Sequence, residues 1–196
     1  MKLTAMLAAA ICAAAIAPAQ TTPVPAAPAA ATPVPAAVRT PQPPAPVDAA
    51  TADAVIHAVY ASVSHAPDAD PDWSHMRTVF LPSGRLTPPQ RPTGEFVFLS
   101  AEDFISRFSQ GIASRRKEGK EQGFVEREIS RKMDCFGNVC QVFSTYESRY
   151  TAADPKPFAR GINAMQLVKD GNRWWIANLV WDQESPEKPI PAAYLP

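Results

Sequence analysis

Two cysteines flank a predicted hairpin turn, and their spacing limits the chemistry they can perform. Cys135 and Cys140 enclose Gly137 and Asn138, a favoured two-residue turn between strands. With these two residues as the loop, Cys135 lies directly opposite Cys140, at about the separation that a disulfide needs. Two buried free thiols that pack as small apolar side chains are the alternative. A metal site is not expected, because no histidine lies near enough to complete a zinc ligand set.

The same strand register places two carboxylates face to face. Glu128 would lie opposite Glu147, a repulsive pair unless one carboxyl is protonated or a cation lies between them, and Glu126 would lie opposite Arg149. This face is charged and self-complementary, which favours solvent exposure. If it lined a pocket instead, the two glutamates would form an acid–base pair. The opposite face is more apolar and is assigned to the pocket side. It carries Val125, Arg127, Ile129, Arg131, Met133, Val142, Ser144, Tyr146, Ser148 and Tyr150.

Several other kinds of site are not indicated by the sequence. It contains no Gly-rich phosphate loop, no nucleophile elbow and no metal-binding histidine pair. Without Lys2 and Arg39, residues 48–196 keep 17 basic against 19 acidic residues, a formal charge of −2. The one cationic cluster, residues 115–117, is interrupted by acidic neighbours and indicates the solvated end of a helix. We therefore expect no cofactor, no metal and no nucleic-acid partner.

Helical periodicity comes first along the chain and strand periodicity follows. Val55, Ile56 and Val59 recur at helical spacing, with Thr51 or Asp53 as the cap. A second helix is predicted from residue 70, with its N-cap at Asp70 and an end before residues 82–84. A capping-box pattern at residue 100 begins a third helix. Residues 124–133 and 139–150 predict one long hairpin, and residues 159–168 and 173–182 predict a second.

This order resembles the nuclear transport factor 2-like superfamily. Three helices precede a curved antiparallel sheet, with Phe136-Gly137-Asn138-Val139-Cys140 at one turn and Asp170-Gly171-Asn172-Arg173-Trp174-Trp175-Ile176 at the next. The second stretch resembles the last strand of the SnoaL-like (polyketide-cyclase-like) branch, and the resemblance covers about residues 50–183. It implies an α+β fold in which a cone-shaped antiparallel sheet wraps around three N-terminal helices. It also implies a pocket on the concave face.

The expected pocket is apolar with a few polar groups, which is the usual form of a small-molecule site. The resemblance implies that Trp174 and Ile176 point inward, and strand alternation then places Asn163 and Asn178 with them. The candidate pocket residues are Tyr146, Asn163, Asn178, Arg127, Ser144, Trp73, His75 and Trp174.

Each polar candidate also has a structural interpretation. Tyr146 would be a strand aromatic with a satisfied hydroxyl, and Asn163 and Asn178 would bond each other across the strands. Arg127 would extend to the rim, and His75 would face solvent. No catalytic set of the superfamily matches residue by residue, and no inward strand position carries an acid in this register.

Three functions therefore stay open for the domain. The first is binding of a small, largely apolar ligand without turnover. The second is a lyase, isomerase or hydrolase that uses Tyr146 with Arg127 or His75. The third is a structural role as a homodimer through the sheet. Its contact face would hold Trp175, Ala177, Leu179 and Trp181.

The N-terminal residues predict export. Lys2, an apolar run over residues 3–16 and Ala17-Pro18-Ala19 form a signal-peptide pattern over residues 1–19, with a periplasmic or secreted product. A lipoprotein with Cys12 as the lipidated residue is the alternative, and Ile11 argues against it. Residues 20–47, rich in Pro and Ala, predict a disordered linker or a ligand of a proline-binding domain, and residues 48–196 form the domain. No further run is long enough to span a membrane.

The C-terminal tail, residues 186–196, is expected to lie along the domain surface. The mouth of the cone is one position that it could cover.

Overall fold

The computed structural model describes residues 49–196, so the predicted signal peptide and linker lie outside the described residues. The helices are α1 (Ala52–Val63), α2 (Trp73–Val79) and α3 (Ala101–Lys117). The strands are β1 (Phe80–Thr87), β2 (Val125–Phe136), β3 (Val139–Arg149), β4 (Ala159–Asp170) and β5 (Arg173–Gln183). They form one sheet in the order β1-β5-β4-β3-β2. The predicted α+β class, with three helices against one curved sheet, is confirmed.

The helices begin where side chains can satisfy their first backbone N–H groups. The Thr51 hydroxyl accepts from the Ala54 N–H at 3.0 Å, and Ser100 and Asp103 form the predicted capping box of α3. The predicted start of α2 at Asp70 is wrong. Asp72 caps that helix by accepting from the Ser74 N–H at 2.9 Å. Asp70 instead pairs with Arg116 at 2.6 Å, which ties the preceding loop to α3.

The predicted antiparallel sheet is in fact mixed. Residues 80–84, where the second helix was expected to end, belong to β1, which pairs in parallel with β5, whereas the other three pairings are antiparallel. Pro82 cannot donate to a sheet ladder, and the pairing shifts between Phe80 and Arg85. β1 lies at the sheet edge, where such an interruption is tolerated. Proline and glycine therefore mark an irregular edge strand here and not only the end of a helix.

The register of the first hairpin is as predicted near its turn and shifts farther away. Cys135 lies opposite Cys140 and Ser130 opposite Thr145, but Ile129 has no partner on β3. This β-bulge moves every earlier residue of β2 to the other face. The expected pairs Glu126–Arg149 and Glu128–Glu147 are therefore wrong. The observed pairs are Glu126–Ser148, Arg127–Glu147 and Glu128–Tyr146.

A second bulge changes the faces of β5. Gln166 pairs with Asn178 and Leu167 pairs with Ile176, so Ala177 has no partner on β4. Leu179 is buried in the core on the concave side, and Trp181 packs against that core. The expected contact face of Trp175, Ala177, Leu179 and Trp181 is therefore wrong as a single surface. Homodimerisation through the sheet stays a prediction.

The C-terminal residues cover part of the convex face. The Thr145 hydroxyl donates to the backbone carbonyl of Tyr194 at 2.7 Å, and the Tyr194 ring stacks on Phe143 with centroids 5.6 Å apart. Phe143 lies on the opposite face to the buried Val142 and Ser144. The tail thus lies along the domain surface, as expected, and on the outer side of β2 and β3 instead of at the mouth of the cone.

Cys135 and Cys140 are joined by a disulfide with an S–S distance of 2.06 Å. The bridge closes a very short loop, so it removes little entropy from the unfolded chain. Reduction should therefore lower the free energy of unfolding by no more than about 2 kcal/mol. Urea unfolding of the oxidised and dithiothreitol-treated protein measures this difference. The Cys135→Ala/Cys140→Ala variant is the control, since its stability should not respond to the reductant. A loss above about 4 kcal/mol would contradict the expectation.

Candidate functional site

A cavity of about 180 Å³ lies between the helices and the concave face of the sheet, and we call it the inner cavity. Its volume is close to that of an engineered cavity of about 150 Å³ that binds benzene, so it suits a molecule with one ring. Nine of its lining side chains are apolar, and they come from all three helices, from β1 and β5 and from the residue before β2. They are Val59, Val63, Met76, Leu86, Phe104, Phe108, Phe124, Leu179 and Trp181.

Three polar side chains complete the lining, one from each of three adjacent strands. Glu126 lies on β2, Tyr146 on β3 and Asn163 on β4. The register explains their common direction, because Glu126 pairs with Ser148 and Asn163 pairs with Ser144, on the same face of the sheet as Tyr146. One carboxyl, one phenol and one amide therefore converge on an otherwise apolar cavity.

Glu126 is the group whose protonation can change near neutral pH. Burial raises the pKa of its carboxyl to about 7, while hydrogen bonds from Ser148 and Asn163 act in the opposite direction. The Ser148 hydroxyl donates to Glu126 Oε2 at 3.0 Å. These partners are neutral, so they offset only part of the cost of burying the charge. Glu126 can both accept and release a proton at pH 7.

Tyr146 contributes a hydroxyl that stays protonated. Burial and the nearby charge of Glu126 raise the pKa of this phenol above its usual value. The hydroxyl forms no hydrogen bond to any residue between 49 and 196, so it can donate to a molecule in the inner cavity. Its position depends on Gly161, the partner of Tyr146 on β4. A Cβ on that glycine would lie 2.7 Å from Cε1 of the tyrosine ring.

A directed chain of hydrogen bonds orients Asn163. Its Nδ2 donates to the Tyr60 hydroxyl at 3.1 Å, and that hydroxyl lies 2.6 Å from Ser144 Oγ. Ser144 in turn donates to Glu128 Oε1 at 2.6 Å, so Tyr60 must be the donor to Ser144. The amide nitrogen of Asn163 is thus fixed toward Tyr60 and Glu126, where its second N–H stabilises the carboxylate.

Glu128 also faces inward but is paired with a cation. Arg131 donates to Glu128 Oε1 through Nε at 2.7 Å and pairs with Oε2 through Nη2, and Nη1 of the same guanidinium pairs with Asp53. This arrangement gives Glu128 a cationic partner, and Glu126 has none within the described part of the chain. Glu128 therefore terminates the hydrogen-bond chain and Glu126 is the acid in the lining.

The structure brings together some of the candidate residues and separates others. Tyr146 and Asn163 are in the lining, and Ser144 lies two hydrogen bonds behind it, through Tyr60. Trp73 packs behind Phe104 and Phe108 and donates through Nε1 to Ser109 at 3.1 Å. Trp174 packs against the core, with the Lys169 ammonium 6.0 Å from its ring, and His75 lies on α2; neither is in the lining.

Two candidates lie on the wrong side of the sheet for a pocket role. Arg127 is on the convex face, where its Nε donates to Glu147 Oε1 at 2.6 Å, and its side chain is 63% exposed. Asn178 pairs with Gln166 on that same face. Strict alternation assigned both residues to the concave face, because it does not reveal the bulges at Ile129 and Ala177. The expectation that no acid faces inward is wrong for the same reason. The repulsive Glu128–Glu147 pair in the predicted register was the sequence signal of that error.

Neither a cluster of metal-ligating side chains nor a membrane-spanning helix is found among the described residues. Residues 49–196 contain no cluster of three or more His, Cys, Asp or Glu side chains arranged to hold a metal ion. Within the same range, none of the helices has both the length and the apolar character that crossing a bilayer requires.

No protein-family model and no curated protein sequence matches the chain. An NTF2-like (nuclear transport factor 2-like) protein of unknown function from Silicibacter pomeroyi aligns at 12% identity and a TM-score of 0.45, over 67% of this chain and 92% of that one. One from Shewanella baltica aligns at 9% and 0.47, over 67% and 91%. An uncharacterised cystatin-like protein from Caulobacter vibrioides aligns at 13% and 0.48, over 69% and 88%. These are likenesses of fold alone, and they assign no activity to this chain.

The contact between Tyr146 and Gly161 predicts that the glycine cannot be enlarged. Gly161→Ala should lower the free energy of unfolding by about 1–3 kcal/mol, because the new Cβ would overlap the tyrosine ring and the backbone carbonyl of Asp182. Chemical denaturation followed by tryptophan fluorescence measures the change. Gly111→Ala in α3 is the control and should be neutral or stabilising, since the nearest atom is the mobile end of Arg115 at 3.3 Å. Equal effects of the two substitutions would contradict this account.

The raised pKa of Glu126 predicts a pH-dependent stability difference. Between the unfolded value near 4.5 and the folded value of about 7, the folded state binds the proton that the unfolded state has released. Stability therefore falls as pH rises through this window. Glu126→Gln cannot lose this proton. The free energy of unfolding of the variant should therefore rise relative to that of the wild type by on the order of 2 kcal/mol as the pH increases from 4.5 to 8.

Denaturant unfolding at several pH values tests this difference. Glu95→Gln, a charge removal on an exposed loop, is the control and should follow the wild-type profile. A stability difference between Glu126→Gln and wild type that is constant from pH 4.5 to 8 would show that Glu126 titrates normally.

Proposed function

We propose that the inner cavity binds a small, largely apolar molecule of about one ring and that Glu126 transfers a proton on it. The observation that carries the proposal is a carboxyl group in the wall of an apolar cavity, with no cationic partner among residues 49–196. A buried carboxyl of this kind lowers the free energy of unfolding. Carboxyl groups with raised pKa values cluster at sites of proton transfer.

The neighbouring hydroxyl suggests the chemistry. Glu126, as the carboxylate, takes a proton from a carbon next to a carbonyl group, and the C–H electron pair moves toward the carbonyl oxygen. Tyr146 donates a hydrogen bond to that oxygen as negative charge develops on it. Protonated Glu126 then returns the proton to another carbon, which is isomerisation, or to a departing hydroxyl group, which leaves as water in a lyase reaction. Asn163 stabilises the carboxylate form between turnovers.

A test needs no knowledge of the natural substrate. The probe is 1-phenylpropan-2-one in D₂O, a ketone with one ring, and proton NMR measures exchange of its α-protons for deuterium. The wild type should accelerate exchange, with a rate that rises with pH and reaches half its maximum near pH 7. Glu126→Gln should reduce the acceleration by about 100-fold or more, and Tyr146→Phe by about 10- to 100-fold. His75→Asn, outside the lining, is the control and should exchange at the wild-type rate.

Binding without turnover is the second candidate, and the nine apolar lining side chains favour it equally. It predicts that the same ketone gives a saturation-transfer difference NMR signal with the protein, while the exchange of its α-protons is not accelerated. That result would overturn proton transfer and leave the binding site. Absence of both contacts and exchange would overturn the site itself.

We further propose that the domain acts outside the cytoplasm. The signal-peptide pattern of residues 1–19 supports export, and a disulfide between Cys135 and Cys140 is compatible with an oxidising compartment.

A further inference from the structure

A second cavity of about 360 Å³ adjoins the first, and we call it the outer cavity. It is formed by the C-terminal half of α3, the loop between α3 and β2, and residues on either side of the β3–β4 connection. Its lining combines aromatic rings with three charged side chains, whereas the inner cavity has one charged side chain, Glu126. The residues that matter here are Phe108, Arg115, Lys120, Glu121, Phe124 and Phe158.

Two aromatic rings belong to both cavities. Phe108 and Phe124 line the inner and the outer cavity, and their centroids lie 5.8 Å apart in an edge-to-face arrangement. Phe158, 6.1 Å from Phe124 and stacked on Tyr150 at 4.4 Å, extends the aromatic wall outward. The two cavities therefore meet at the same pair of aromatic rings.

The outer cavity carries the positive charge that the inner cavity lacks. Arg115 and Lys120 have side chains that are 47% and 71% exposed. Glu121 is only 4% exposed, and both of its oxygens are occupied, one by Arg115 Nε at 2.8 Å and one by the Gly123 N–H at 3.0 Å. Lys120 pairs with Glu118, but both partners are exposed, and such pairs are weak. The lining thus keeps a net charge of +1.

We infer that the ligand is amphipathic, with an apolar ring in the inner cavity and an anionic group, a carboxylate or its equivalent, held by Arg115 and Lys120 in the outer cavity. The inference rests on the proposed binding of a ring-sized molecule in the inner cavity. Glu126 fixes the orientation, because its carboxylate repels a second anion from the inner end. Arg115 and Lys120 are thus specificity-determining residues for a small aromatic or alicyclic acid with a short linker.

The experiment compares ω-phenylalkanoates with the matching ω-phenylalkanols, with two to six methylene groups, by isothermal titration calorimetry on the full chain. The acids should bind about 10-fold more tightly than the alcohols at one optimal linker length. In the Arg115→Gln/Lys120→Gln variant this advantage should fall below about 2-fold, and 0.5 M NaCl should also weaken it. The Arg107→Gln/Lys117→Gln variant removes two exposed cations of α3 outside both linings and should keep the advantage.

Because Arg115 neutralises the nearly buried Glu121, its loss could unfold the protein. Lys120→Gln alone is therefore the second variant and should lose about 3-fold of the acid advantage while it stays folded. Alcohols that bind as tightly as the acids would overturn the inference and leave the proposed function intact. Binding of neither series would overturn both. An acid advantage that survives in Lys120→Gln and in the double variant would place the anion elsewhere and overturn the assignment.

Discussion

Ile129 is the one residue of β2 between Val125 and Phe136 that has no partner on β3, and the chemistry of the concave face depends on it. Side chains alternate strictly along a strand, so one unpaired residue reverses the facing of everything before it. With the bulge, Glu126 and Glu128 point into the cone. Without it, Arg127 would take that place and the cavity would hold a cation instead of an acid. A single backbone irregularity thus sets the sign of the charge in the inner cavity.

The two inward glutamates show how environment separates their roles. Glu128 is bonded by Arg131 and by Ser144, so its charge is compensated and it terminates the chain that orients Asn163. Glu126, two residues earlier, accepts hydrogen bonds from the neutral Ser148 and Asn163, the partners that it has among residues 49–196, and burial raises its pKa to about 7. Both positions carry the same residue type, glutamate, so the sequence does not distinguish them. The difference comes from one arginine on the same strand, on the far side of the bulge.

The sequence predicts the part of the fold that local patterns determine. The Gly137-Asn138 turn and the opposed cysteines set the register of the hairpin correctly as far as Ser130, and the concave face of β3 follows from alternation. The start of β2, before the bulge at Ile129, is instead held by contacts that are distant in sequence. The Ser64 hydroxyl accepts from the Glu126 N–H at 3.1 Å, and residues 65 and 124 exchange two backbone hydrogen bonds of 2.7 and 2.9 Å. These bonds join the end of α1 to the start of β2 across about sixty residues, so no local pattern contains them.

The hydrogen bonds between the end of α1 and the start of β2 also position residues that line both cavities. Since β2 is an edge strand, its first residues have no neighbouring strand on one side, and the end of α1 supplies partners there instead. Phe124 and Glu126 lie in this held segment, two residues apart on one face. Phe124 contributes one of the aromatic rings that line both cavities, and Glu126 contributes the acid in the inner cavity. The separation between Phe124 and Glu126 is therefore fixed by backbone hydrogen bonds, and Arg115 in α3 and Lys120 in the loop after it line the outer cavity on the other side of the shared rings. The inferred ligand would thus contact an acid, two aromatic rings and two cations in that order, which gives the site a direction as well as a size.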